Sequence, residues 1–190
     1  MGEISEILTN VKACDDVLLK AQVYRNKQEL WDNWDNIHDL MWYLYKVEID
    51  VDLIYVCLCD IVEYAMAYCE HNRCDDDIKA ARNMFEALIR YNANPTKDNN
   101  ILRRNELNKI RTLINARATE FNNRNKCLLI GINTISSISI NNRQALKPLY
   151  FKILASVYDA IGGKHNQGGQ QDIRNIIRKH FPVAPEPLVL

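Results

Sequence analysis

Apolar residues recur at steps of three and four along most of this chain, the spacing of one buried face of an α-helix. Ile4, Ile7 and Val11 open a first amphipathic stretch, continued by Val17, Leu18, Ala21 and Val23. The clearest helix is expected over 28–47, where Leu30, Trp31, Trp34, Ile37, Leu40, Met41 and Leu44 share a face. Asp50 is suited to cap a helix over 51–71 that carries Leu53, Ile54, Cys57, Leu58, Ile61, Val62 and Ala65. The run Asp75-Asp76-Asp77 favours a helix start by its interaction with the helix dipole, and predicts a helix over 75–93.

The second half opens with a long helix expected over 98–124, with Leu102, Leu107, Ile110, Leu113, Ile114 and Phe121 as its apolar stripe. Residues 127–140 fit two patterns. Ile132, Ile135 and Ile138 match a helix, whereas 136–140 alternate like a strand. The helical surroundings favour a buried helix. Another is expected over 146–161, with Pro148 near its first turn and Gly162-Gly163 as its stop. A flexible glycine loop and a short basic helix over 170–181 follow. The tail, 182–190, holds three of the five prolines and reads as extended. The expected fold is all-α, a multi-helix bundle. Asn92-Ala93-Asn94-Pro95-Thr96 breaks the pattern most sharply and predicts two helical subdomains, 1–94 and 95–190.

Charge sharpens that division. The chain has 24 Lys+Arg and 24 Asp+Glu, yet the signs are segregated. Residues 1–99 hold 10 basic and 19 acidic side chains, a net of −9, and residues 100–190 hold 14 and 5, a net of +9. Such asymmetry points to a polyanion partner, or to copies meeting acidic half to basic half as a homo-oligomer.

Composition is that of a folded chain: 47% of the 190 residues are hydrophobic. Abundant Asn and Ile match the codon bias of AT-rich genomes, many viral ones among them. Residues 1–12 hold no apolar run, so no secretory signal is expected. Glu6 stands where N-myristoylation wants Ser or Thr. The longest uncharged stretch, 127–142, is too short and too polar to span a bilayer, so no membrane partner is expected. Six cysteines with nothing directing the chain to an oxidising compartment read as free thiols in a cytoplasmic protein.

The candidate chemistry is cationic. Arg104 and Arg111 lie seven residues apart, as do Arg117 and Arg124, so each pair shares a helix face. Asn105, Asn108, Asn115, Asn122 and Asn123 stand among them, and guanidinium groups mixed with amides suit phosphate and sugar contacts. Lys164 and His165 sit between two Gly-Gly pairs, with Arg174, Arg178, Lys179 and His180 beyond. This is no Walker A loop, since it lacks the earlier glycine and the following Ser or Thr. The predicted nucleic-acid-binding set is Arg103, Arg104, Lys109, Arg111, Arg117, Arg124, Lys164, Arg174, Arg178 and Lys179. The opposing reading is a solvated helix face and a mobile loop.

Other motifs carry less. Cys57 and Cys59 point about 200° apart on a helix and cannot share a zinc ion. Cys69, His71 and Cys74, at a helix end, are better placed for zinc, yet buried or half-buried free thiols are the stronger reading. Trp31, Trp34, His38, Trp42 and Tyr45 at helical spacing read as core or subunit interface, while Tyr91, Tyr150, Phe151, Tyr158 and Phe181 lie nearer the cations that a stacked base would need. No catalytic signature is present, so no enzyme activity, metal or cofactor is expected. The expectation is a non-enzymatic, oligomerising, sequence-tolerant binder of nucleic acid, RNA above all, of the viral coat, nucleocapsid or silencing-suppressor type. The alternative is a helical module that binds a protein partner, such as a viral antagonist of a host pathway.

Overall fold

Short polar side chains decide where the helices begin. Asn26 Oδ1 accepts from the Glu29 amide, Asn36 Oδ1 from the amides of His38 and Asp39, and Asp75 Oδ1 from that of Ile78. Thr96 and Asn166 do the same for Asn99 and Gly169. Each satisfies an amide that the first helical turn leaves without a partner. The computed structural model describes residues 3–10, 12–47, 50–73, 75–117, 124–138, 143–146 and 148–185. These form ten α-helices: α1 Glu3–Asn10, α2 Asp15–Ala21, α3 Lys27–Asn33, α4 Ile37–Lys46, α5 Val51–Arg73, α6 Asp76–Ala93, α7 Lys97–Ala116, α8 Arg124–Ser137, α9 Tyr150–Ala160 and α10 Gln167–His180. Two 3₁₀ turns, Arg143–Leu146 and Gly163–His165, complete the order, and no strand occurs among the described residues. The fold is an all-α bundle, and none of the described helices is long and apolar enough to cross a membrane.

α5 is the central helix. Cys57, Leu58, Ile61, Val62, Ala65 and Met66 are buried along it, and it packs against α6, α8, α9 and α10. One hydrophobic cluster runs from Ile4 to Ala184 and draws on both sides of residue 95. The break at Pro95 is the turn between α6 and α7, which pack on each other. The charge boundary is therefore not a gap in the core.

Four expected helices have different limits. The apolar period over 28–47 hides a break at 34–36. Trp34 is extended, and Asn36 caps a new helix rather than continuing the old one. The helix expected over 98–124 ends at Ala116, and 118–123 lie outside the described residues. The one expected from 146 starts at Tyr150, because Pro148 and Leu149 turn after the 3₁₀ segment. The glycine loop is ordered: Asn166 caps α10, its Nδ2 donates to the Ile161 carbonyl, and α10 begins at Gln167. Gly169 is required there, since a Cβ would lie 2.5 Å from Asn166 Nδ2.

The basic end of the chain holds the acidic end. The Arg178 guanidinium donates to the carbonyls of Trp31 (3.0 Å) and Trp34 (2.9 Å), and Arg174 donates to that of Asp35 (2.6 Å). These carbonyls are left open by the break between α3 and α4. Burial and then the Arg174 charge pull the Arg178 guanidinium below its usual value, opposed by Asp32 and Asp35. Beyond α10 the chain lies across α3 and α4. Trp31 Nε1 donates to the Phe181 carbonyl, Gln28 pairs with Pro182 and Ala184, and Tyr43 donates to the Pro185 carbonyl. Up to Pro185 the proline-rich tail therefore packs on its own chain, and 186–190 lie outside the described residues.

These bonds can be tested by substitution. Arg178→Met should lower stability by about 2–3 kcal/mol, measured by urea unfolding, since buried carbonyls would be left without their charged donor. Arg178→Lys should recover only part of it, because an ammonium cannot fork between two carbonyls. In the acidic half, Arg82 makes a forked pair with Glu70 at 2.8 and 2.7 Å. That bond holds the Glu70 carboxyl below its ordinary value of 4.5. The stabilisation is thus full above that value and disappears as pH falls through the lower, folded one. The urea midpoint of Arg82→Gln should lie below the parent's near neutral pH, and the gap should close in strong acid.

Candidate nucleic-acid interface

α7 gathers its polar cations on one outward face. Arg104, Asn105, Asn108, Arg111, Thr112 and Asn115 are all exposed, and no carboxylate stands among them. Glu106, a carboxylate within α7, is buried and bonded to Lys109 at 2.6 Å on another flank. Arg111 Nε donates to Asn133 Oδ1 at 3.3 Å, which joins this face to α8. α8 contains no acidic residue. Between Asp98 and Asp159 the sequence holds ten Lys or Arg against two acids, Glu106 and Glu120. Apart from the exposed Asp98 in the first turn of α7, the exposed charges described on α7 and α8 are cationic, the footprint a polyanion follows.

The other predicted cations divide into two groups. Arg103 donates to the Ser136 carbonyl at 2.5 Å and lies over the Tyr91 ring at 4.9 Å, so it fastens α7 to α8 and α6. Arg117 pairs at 2.5 Å with the buried Asp77 carboxylate. Arg174 and Arg178 hold the α3–α4 break. These four are engaged inside the fold. Arg104, Arg124, Lys164 and Lys179 are exposed and make no hydrogen bond or ion pair with another described residue. Lys179 shares its face of α10 with Asp172, apart from α7.

Arg124 and Lys164 meet at a cleft of about 500 Å³ between the start of α8 and the turn joining α9 to α10. Cys127, Tyr158, Asp159 and His165 complete its walls. Gly162, at φ 110°, makes the turn in a conformation that side chains disfavour. The Arg124 guanidinium lies against this turn, within van der Waals reach of the Gly162 Cα side. A second hollow of about 340 Å³ shares Tyr158 as its wall and adds Asp35, Asn36, Ile37, His38 and Gln170. The His38 ring meets Tyr158 edge-on at 5.5 Å. Burial, and then Asp159, push the Tyr158 phenol up, so at neutral pH it keeps its proton and can donate.

Of the five aromatics considered for stacking, Tyr150 and Phe181 are buried and Tyr91 is covered by Arg103. Phe151 is exposed and packs its ring on Tyr150 at 4.1 Å, and Tyr158 lines a cleft. The tryptophans Trp31 and Trp34 are core, and Tyr45 stacks on Tyr150 at 5.2 Å. Cys57, Cys59 and Cys69 are buried, burial pushes the Cys57 thiol up, and Cys74 lies outside the described residues. Asp35, Asn36 and Gln170 gave no signal by spacing, and His38 falls in the stripe that reads as core or interface; only the packing of α10 against the α3–α4 break brings them together.

No known protein family, no curated protein and no solved structure matches this chain.

Proposed function

We propose that this protein is a non-enzymatic, sequence-tolerant binder of nucleic acid, RNA above all, and that the α7–α8 face is its main contact surface. The observation that carries this reading is the exposed row of Arg104, Arg111 and four polar side chains with no carboxylate among them. Guanidinium groups attract phosphate, and the amides supply positioning hydrogen bonds without reading bases. An open helical face follows a backbone and leaves sequence unread. Coating RNA and withholding it from other factors are the two uses such binding serves. Assembly of copies, with acidic N-terminal surface against basic face, belongs to the same reading. Exposed Asp52 and Glu86 supply that acidic surface.

The test is fluorescence anisotropy with labelled single- and double-stranded RNA, at low and at near-physiological salt, with light scattering for mass. Binding should weaken steeply with salt. Arg104→Glu with Arg111→Glu should reduce affinity at least about tenfold. It should also flatten the salt slope by about 0.7 for each single-strand phosphate that is no longer neutralised. Both residues are exposed, so helicity should be unchanged. Unchanged affinity in that double variant would overturn the surface assignment. Absence of binding even at low salt would favour a protein partner instead.

A further inference from the structure

We propose that the two hollows that share Tyr158 as a wall form a site for the 5′-phosphorylated end of an RNA strand, the phosphate in one and the first nucleoside in the other. This rests on the RNA-binding reading and goes beyond it, because the open α7–α8 face treats every internal phosphate alike. A terminal phosphate monoester carries close to two negative charges near neutral pH, against one on an internal phosphodiester. A site that gathers two unpartnered cations at one point therefore favours an end.

The first hollow has that character. Arg124, from the start of α8, and Lys164, from the turn after α9, converge on it from separate elements, with His165 beside them. Neither cation has another partner among the described residues. Among the described residues Asp159 is the carboxylate on this wall, and the two cations outnumber it.

The second hollow suits a nucleoside. Its carboxylate, Asp35, would repel a phosphate but can accept from a ribose hydroxyl. Asn36 Oδ1 is engaged in capping α4, which leaves its amide nitrogen free to donate. Gln170 Nε2 donates to the Gly163 carbonyl, which leaves its oxygen free to accept. A donor, an acceptor and a carboxylate thus face one space, beside the rings of Tyr158 and His38. Aromatic faces of this kind stack any base. The Gln170 bond also ties the nucleoside side to the turn that carries Lys164. Each hollow falls within the size range of small-ligand sites, about 300–1,000 Å³.

The experiment uses the full chain and two RNAs of one sequence, labelled at the 3′ end, one with a 5′-phosphate and one with a 5′-hydroxyl. The phosphorylated strand should bind about tenfold more tightly, the effect of one or two added charge-assisted hydrogen bonds. Lys164→Gln, and separately Arg124→Gln, should erase that ratio; both positions are exposed and unbonded, and circular dichroism checks the fold. A nucleoside 5′-monophosphate should compete for the phosphorylated strand alone. Equal binding of the two strands would overturn the end site while leaving the α7–α8 surface standing. Saturable binding of the monophosphate with no binding of either RNA would overturn the RNA end in favour of a free nucleotide, and the surface reading with it.

Discussion

A break in a helix must be closed by something, and here it is closed by the far end of the chain. Where α3 stops and α4 starts, the carbonyls of Trp31, Trp34 and Asp35 are without helical donors. Left in a partly buried place without partners they would destabilise the fold. Arg178 and Arg174 supply the donors, and Trp31 returns a bond from its indole to the Phe181 carbonyl. The seating of α10 on α5, the course of the C-terminal segment and the shape of the hollow beside Tyr158 all follow from that exchange.

The segregation of charge does not lie wholly on the surface. Part of it is internal. Arg117 faces Asp77, His180 faces Asp60, Tyr64 donates to Asp172, and Asn125 donates to Asp75. All four join the two halves, but only Arg117–Asp77 and His180–Asp60 set a basic group of the second half against an acid of the first; Tyr64 and Asn125 are neutral, and Asp172 is an acid of the basic half. Among the predicted cations, those without a bond to another described residue are Arg104 on α7, Arg124 at the start of α8, Lys164 in the turn after α9 and Lys179 on α10. A net charge of +9 in the second half therefore overstates the free surface charge. The sites that can meet a ligand are those the fold has not already engaged.

Much of the architecture was legible from spacing alone. The helical class, the Asp50 and Asp75 starts, the Gly162 stop and the core stripe of α5 follow from local rules, and local rules act within a turn or two. The break at 34–36 escaped because Trp34 and Ile37 keep a step of three across it, so the apolar period continues where the backbone does not. Its signal was compositional, four residues, Asn33 to Asn36, of which three prefer caps and turns. The roles of the arginines were not legible. Arg104 and Arg103 are neighbours in sequence, yet one faces water and the other lies on Tyr91. Arg178 looks like any cation at a helix end until its partners, 144 to 147 residues away, are in view. Likewise His38 and Gln170 share a wall only because distant segments pack.

The joining of α3 and α4 to residues 174–185 also sets an order of events at the ribosome. Synthesis proceeds at roughly 5–20 residues per second, so the N-terminal helices wait on the order of ten seconds for the segment that completes them. During that time Trp31 and Trp34 have no cover from Phe181 or Ala184, and an apolar surface that is core in the finished protein stays open. The basic helix closes that surface by donating to its open main-chain carbonyls, with the carboxylates of Asp32 and Asp35 near enough to favour the Arg178 charge.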